Sequence, residues 1–395
     1  MSPFRYVVIG AGRQGTAAAH DLIMRGQAES VVMADRDTTA ARAAAERVNE
    51  LTGAPFATWA AVDAGDRRAV SELLGPAHAA LGAASYRLNV GLSEAAVEAG
   101  THLCDLGGHI GVVRRQLELD AAAARAGVCL VPDCGEAPGL VNNLAARACR
   151  LLDRARDLAI YDGGLPVEPR PPWNYALTFS VDGLTNEYDG TTTYVRDGRQ
   201  VEVACLDPAE DEIVDFGPPF GTLEAFAAAT ASTLPSTLGR GLRSLTSKVL
   251  RYPGHAAQFR AFRDLGLFSE EPVTVGDSFV VPRDVFHALL QPRIRAPVGE
   301  PDVVLARLVA RGERGGRPAR AVVTLRVDSD GRTGLTAMQR ATGEHAAIVM
   351  HLAAAGRIRP GATPVELAVE PEMMVEEIRR RGFQVEETVE ALGSS

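Results

Sequence analysis

Short, continuous apolar runs alternate with alanine-rich stretches through the first third of the chain. Residues 6–9, 30–34, 79–83, 102–104 and 128–131 have the length and composition of strands. Between them, residues 16–24, 38–51 and 93–99 carry helical patterns, with small and polar residues at their starts. This alternation predicts an α/β fold built on a doubly wound parallel sheet. After one more helix over 141–152 the character changes. Residues 159–200 are rich in Thr, Tyr, Asp, Gly and Pro, with strand-like runs at 175–181 and 191–195, and Asp197-Gly198 signals a hairpin into 200–205. Further elements are expected at 279–288 and 303–310. A Gly/Arg turn at 311–318 leads into a strand at 319–327, and Asp330-Gly331 predicts a hairpin pairing it with 333–339. Helices over 342–355 and 370–381 close the chain and are expected to return over the first domain.

At 395 residues the chain exceeds one ordinary core. The pattern divides it into a dinucleotide-type domain, 1–140 with 341–395, and a central α+β domain, 141–340. Hydrophobic residues at 46% and charged residues at 23% are those of a soluble globular protein, and a net charge of -9 argues against nucleic acid or an anionic membrane as partner. No apolar run is long enough to span a bilayer, and the first strand begins at once, leaving no room for a targeting segment; a cytoplasmic protein is expected. The five cysteines, Cys104, Cys129, Cys134, Cys149 and Cys205, lack CxxC spacing and predict neither disulfide nor metal site. Lys248 is the single lysine among 41 basic residues, so chemistry that needs a lysine must use it.

Directly after the first strand comes Gly10-Ala11-Gly12-Arg13-Gln14-Gly15, opening a helix. Gly10 permits the tight turn, Gly12 lets backbone N–H groups approach a pyrophosphate, and Gly15 lets helix and strand pack closely. The phosphates would sit at the positive helix end, beside Arg13 and Gln14. The second strand ends in Asp35, placed to bind ribose hydroxyls and to repel a 2′-phosphate. NAD is therefore the expected cofactor, with NADP left open by the adjacent Arg36.

Ligands of such sheets bind beyond the carboxyl ends of the strands. Three segments fall there: Gly82 to Tyr86, with Ser85; Cys104 to His109, with Asp105; and Pro132 to Leu140, with Asp133 and Glu136. Each surrounds a polar residue with small ones, as a backbone close to a cofactor requires, although turn-making and helix capping explain any one of them equally well. Glu136 would be poised near the nicotinamide, to hold an ammonium or relay protons.

The stretches His102-Leu103-Cys104-Asp105-Leu106-Gly107-Gly108, Val131-Pro132-Asp133-Cys134-Gly135, Tyr161-Asp162-Gly163-Gly164-Leu165-Pro166 and Lys248-Val249-Leu250-Arg251-Tyr252-Pro253-Gly254-His255 resemble signatures of the saccharopine dehydrogenase superfamily, nearest to its lysine 6-dehydrogenase branch. The resemblance covers essentially the whole chain. It implies a Rossmann domain completed by C-terminal elements, a central α+β domain carrying substrate contacts and a dimer surface, and oxidation of a primary or secondary amine by NAD(P). At His109, where members carry Asn, and at Glu136, where they carry an apolar residue, this chain departs from the pattern.

Hydride can leave the carbon next to nitrogen only when the amine is neutral, so a base must take its proton. Lys248, His255, Glu136 and Asp105 are the candidates. Arg251 is a fork for a substrate carboxylate, and Tyr252, Trp173, Tyr175 and His109 are candidate pocket residues. The expected partner is thus a small amine or amino acid, handled by a homodimer or higher homo-oligomer. The leading reading is oxidation of the side-chain amine of lysine or a close analogue. Action on a secondary amine, as in saccharopine or carboxyspermidine-type dehydrogenases, is the nearest alternative, and a nucleotide-binding sensor without turnover is the alternative of another class.

Overall fold

The computed structural model describes residues 3–297 and 299–392. The chain forms two compact units: one holds the residues up to 147 with 331–335 and 339–383, the other holds 148–330, 336–338 and the residues from 384 onward.

The first unit is a seven-stranded, wholly parallel sheet. Its strand order is Gly361–Ala362, Cys129–Val131, His102–Asp105, Ala79–Gly82, Phe4–Ile9, Ala28–Asp35 and Ala57–Ala61. The order reverses beside Phe4–Ile9, which pairs with Ala28–Asp35 on one edge and Ala79–Gly82 on the other. Such a reversal opens a crevice at the carboxyl ends of the two strands. One core joins Val7, Ile9, Val70, Leu74, Leu92, Leu103 and Leu130. Helix starts are fixed by side chains: Asp37 accepts from the N–H groups of Thr39 and Ala40, and Asp66 does the same for Arg68 and Ala69.

The expected C-terminal completion is present. Helix His345–Ala354 is apolar all round, with Ala346 to Met350 each no more than 1% exposed, and packs on Arg13–Arg25 and on strands of the sheet. The turn of π-helix before it, Arg340–Glu344, presses so closely on Arg13–Arg25 that a Cβ on Gly343 would fall 2.7 Å from Cβ of Ala17. Arg381 locks the last helix to the first, gripping the buried Asp21 carboxylate with bonds of 2.7 and 3.0 Å.

The second unit is built on a nine-stranded mixed sheet. Strand Arg154–Pro166 lies at its centre, parallel to Ser244–Arg251 and antiparallel to Asp302–Arg314. Thr222–Ala227 and Glu212–Asp215 extend the first side, and Arg317–Asp328 and Gln384–Ala391 the second. The hairpin at Asp197-Gly198 forms with both residues at positive φ, 48° and 73°, as a two-residue turn demands.

Three expectations need correction. Residues 175–181 are not a strand: Ser180 caps helix Val181–Tyr188, and Val181, Leu184 and Tyr188 bury one face of it in the central apolar cluster. Residues 333–339 do not pair with the strand before them. Arg317–Asp328 turns back instead on Asp302–Arg314 through Gly315-Gly316, and the buried carboxylate of Asp302 caps the turn at Ala337 and Met338. The end of the chain does not stay with the first unit, because Gln384–Ala391 alternates inward and outward residues and adds to the central sheet. Among the described residues no helix is long and apolar enough to cross a membrane.

Candidate active site

The glycine turn has the geometry its sequence requires. Gly10 sits at φ +111°, and a Cβ there would lie 2.4 Å from the Ala83 carbonyl oxygen. On Gly15 a Cβ would fall 2.2 Å from the carbonyl oxygen of Gly10 and 2.9 Å from Val8, so helix and strand touch backbone to side chain. Gly12 is different: a Cβ there would meet nothing within 4 Å. Gly12 is the N-cap of helix Arg13–Arg25 and offers it no side-chain oxygen, so this helix end is free for an anion. Asp35 closes the arrangement. Its Oδ2 accepts from the Ala11 N–H and its Oδ1 from the Asp37 N–H, both at 3.0 Å, which holds the carboxylate at the strand end. Arg13, Arg36 and Ser85 are exposed around this turn and Gln14 is partly buried. A dinucleotide fits these residues: pyrophosphate at Gly12, ribose at Asp35.

The two neighbouring segments serve mainly to hold the backbone. Asp105 is 1% exposed and its carboxylate is fully engaged, accepting from Asn89 (2.8 Å), the Gly107 N–H (2.8 Å) and Gln116 (2.6 Å). Burial pushes its pKa up to about 6 against those bonds. With every oxygen occupied, Asp105 is a fastening for the 105–108 loop, not a free base. His109 caps helix Ile110–Leu117 through Nδ1, which accepts from the Gly111 N–H at 3.1 Å, and its ring stacks on Tyr86 at 5.7 Å. Asp133 takes φ +62° and Glu136 is 8% exposed in the loop ending at Gly139, whose Cβ would strike Gly135. That loop is tied down by His345, missed in the sequence: its ring nitrogens lie 3.0 Å from the Cys134 carbonyl and 2.8 Å from Asn143 Oδ1, and burial lowers its pKa to about 4.

In the central unit, Arg251 and His255 meet on one tyrosine. Strand Ser244–Arg251 ends, Gly254 turns the chain at φ +98°, and helix His255–Asp264 begins with Glu224 accepting from the N–H groups of Gly254 and Ala256. Arg251 Nε donates to the Tyr188 hydroxyl at 2.8 Å, which leaves that hydroxyl to donate to His255 Nε2 at 3.1 Å. An imidazole accepting at Nε2 is neutral. Burial, with Arg251 alongside, drives the His255 pKa well below its usual range, and the ring stacks on Phe259 at 4.3 Å. His255 is therefore not the near-neutral base expected. Arg251, 3% exposed, also donates to the Leu250 carbonyl (2.8 Å) and to Glu187 (3.3 Å), and lies over the ring of Tyr175 at 5.1 Å. The guanidinium is held by the protein itself, which corrects its reading as an open carboxylate fork.

Two acids that sequence reasoning passed over complete this cluster. Glu187 lies on helix Val181–Tyr188, of which only the first residue falls in the run expected as a strand. Asp162 stands in the Tyr161-Asp162-Gly163-Gly164 stretch, in register with Val249 of the neighbouring strand and so on the same face as Val249 and Arg251. It is 2% exposed, and its Oδ1 is buried without a hydrogen-bond partner. Burial and the Glu187 charge raise the Asp162 pKa to about 7 against Arg251, and burial raises Glu187 to about 7 as well. Gly163 is needed beside them, since a Cβ would lie 2.4 Å from the Leu250 carbonyl oxygen and 2.9 Å from Arg251.

Lys248 does not join this group. It faces the other side of the sheet, where Nζ donates to Glu212 (2.5 Å) and to the Glu210 carbonyl (2.6 Å), and Tyr161 donates to the same Glu212. Tyr252 belongs to that side too, in the apolar cluster with Leu250, with its hydroxyl on the Pro166 carbonyl at 3.1 Å. Trp173 packs on Phe262 at the edge of the cluster that holds Tyr175. Of the expected central-unit residues, Arg251, His255 and Tyr175 come together.

Residues 6–131 match the saccharopine dehydrogenase NADP binding domain, and residues 135–383 match the saccharopine dehydrogenase C-terminal domain. Among solved structures, the chain is similar to apo saccharopine dehydrogenase (L-Glu forming) from Saccharomyces cerevisiae, at 17% identity and a TM-score of 0.78 over 98% of this chain and all of that one. GenD2 from gentamicin A biosynthesis, solved in complex with NAD, aligns at 12% identity and a TM-score of 0.42 over 100% of this chain and 97% of that one. The first likeness is one of fold. With its glycine turn, the carboxylate at the end of its second strand and both domain matches in place, the chain belongs to the saccharopine dehydrogenase family of nicotinamide-dinucleotide oxidoreductases.

Proposed function

We propose that this protein is an NAD-dependent amine dehydrogenase that oxidises the side-chain amine of lysine or a close basic analogue. The observation that carries the reading is the charge count around Arg251. Two buried or half-buried carboxylates, Asp162 and Glu187, stand against one guanidinium that is already held by Tyr188, Leu250 and Glu187. Fully ionised, the cluster is one negative charge in excess, a setting that favours a cation. An ammonium group supplies that cation.

Gly12, the N–H groups of the first helical turn and Asp35 would hold the dinucleotide, and Asp35 would disfavour a 2′-phosphate. When bound, the nicotinamide supplies the acceptor for hydride. The chain's own residues bind and orient the substrate, exclude water and remove a proton from nitrogen; released imine is hydrolysed by water to an aldehyde and ammonia.

The test is formation of reduced nicotinamide by the purified protein with lysine, ornithine, diamines and saccharopine, each with NAD and with NADP. Turnover of lysine with release of ammonia supports the reading. Activity on saccharopine or a carboxylated polyamine alone would replace it with secondary-amine chemistry. In the same assay, Asp35→Ser is expected to weaken NAD about tenfold, roughly 1.4 kcal/mol, and to narrow the preference against NADP. Equal NAD affinity in both proteins would remove Asp35 from the cofactor site.

A further inference from the structure

We infer that Asp162 is the proton acceptor of the reaction, taking the proton from the substrate ammonium while Glu187 and Arg251 hold its ionisation in place. The inference deepens the amine dehydrogenase reading and rests on it. Its basis is geometric: Asp162 is 2% exposed, has one carboxylate oxygen buried without a partner, and lies on the sheet face that carries Arg251. Leaving a buried carboxylate oxygen unmatched is costly to the fold, and a ligand group that bonds to it relieves that cost. Three of the four candidate bases named from the sequence are engaged: His255 is hydrogen-bonded to Tyr188, Lys248 is paired with Glu212 on the opposite face, and Asp105 is saturated.

The proton balance is simple. An N–H bond of the ammonium breaks and an O–H bond forms on Asp162, leaving a neutral amine. Its lone pair forms the C=N bond as the adjacent C–H leaves with both electrons to the nicotinamide oxidant. One proton is thus held by Asp162, two electrons leave with the hydride, and the imine carries the remaining positive charge. The charged and titratable groups facing Asp162 are Glu187 and Arg251, with Tyr175, Tyr188 and His255 around the guanidinium. Glu187 makes ionisation of Asp162 harder and Arg251 makes it easier. Burial already favours the protonated form, so the group is poised to receive and release a proton near neutral pH.

The experiment uses the full chain with Asp162→Asn and Glu187→Gln. With lysine and NAD, Asp162→Asn is expected to lower kcat/KM at least about 100-fold. Glu187→Gln should instead move the acidic limb of the kcat/KM profile to lower pH by about one unit, because a negative neighbour has gone. A merely structural pair would not shift that limb. In parallel, calorimetry with 1,5-diaminopentane in the presence of NADH measures amine binding without turnover; Asp162→Asn should weaken it about tenfold or more at unchanged NADH affinity. Asp162→Asn that keeps kcat/KM within about threefold, or a limb that stays in place in Glu187→Gln, would overturn the assignment. Amine binding that depends on Asp162 in a protein that turns over no amine would sink the dehydrogenase reading yet leave Asp162 as the cation site; no binding of any amine would overturn both.

Discussion

Lys248 and Arg251 stand three residues apart on one strand and point to opposite faces of the central sheet, Lys248 to Glu212 and Arg251 to Tyr188 and Glu187. A strand alternates its side chains, so an odd spacing separates two residues that sequence proximity invites one to group. The single lysine of the chain is therefore paired with Glu212 on the face opposite the acids that we propose carry the chemistry.

Replacing Lys248 tests that division. Lys248→Met breaks a pair in which the lysine is 3% exposed and Glu212 is partly exposed, and should cost roughly 1–3 kcal/mol of stability. Amine oxidation by the folded variant should stay within about threefold of the parent. Loss of kcat/KM by orders of magnitude, with the melting temperature unchanged, would return Lys248 to the site.

Two glycines of the turn, Gly12 and Gly15, should respond differently to a single methyl group. Gly15→Ala puts a Cβ 2.2 Å from a backbone oxygen, so stability should fall by at least about 2 kcal/mol, with dinucleotide binding lost as a consequence. Gly12→Ala meets open space. It should melt within a degree or two of the parent and still bind NADH at least about tenfold more weakly, because the methyl occupies the approach to the helix end. Matched melting and binding losses in Gly12→Ala would refute this.

Asp162 should make the protein less stable as the solution becomes more alkaline. Its folded pKa is raised to about 7 by burial and Glu187, so between its unfolded value and that pH the folded state binds more protons than the unfolded one, and stability falls as pH rises. Below about pH 4 Asp162 is neutral in both the folded and the unfolded chain, as the amide of Asp162→Asn is, and the two proteins should melt alike. Near about pH 8 the ionised parent carries an unmatched charge, and Asp162→Asn should be the more stable by roughly 1–3 kcal/mol. A melting difference that is constant across this range would contradict the burial of an ionisable Asp162.

Much of the first unit was legible because local chemistry dictates it. Gly15 is demanded by contacts with Val8 and Gly10 a few residues away, Gly10 by its positive φ and by the end of the neighbouring strand at Ala83, and Asp35 ends a strand whose length sets its position. The second unit was harder to read for identifiable reasons. Residues 175–181 have strand-forming composition, but Ser180 caps a helix and the cluster of Leu184, Tyr188 and Phe226 rewards burying one helical face. Glu187, near the end of that helix, lies in a stretch for which the sequence suggested no element, and it reaches Arg251 from there. Asp162 was visible in the Tyr161-Asp162-Gly163-Gly164 stretch, yet its significance lies in a missing hydrogen-bond partner, which no sequence pattern records. His345 was likewise an ordinary residue in an apolar helix until its ring met the Cys134 carbonyl.

The last strand, Gln384–Ala391, closes the edge of the central sheet directly after a helix that belongs to the dinucleotide unit, and short segments around 331–339 alternate between the two. The two units are thus laced together by the chain itself. A single crossover between related genes anywhere from 148 to 383 would assemble at least one unit from two parents, so new substrate units cannot be exchanged here as intact cassettes. Change in specificity within this architecture is left to substitutions inside a unit whose segments are interleaved along the chain with those of the other.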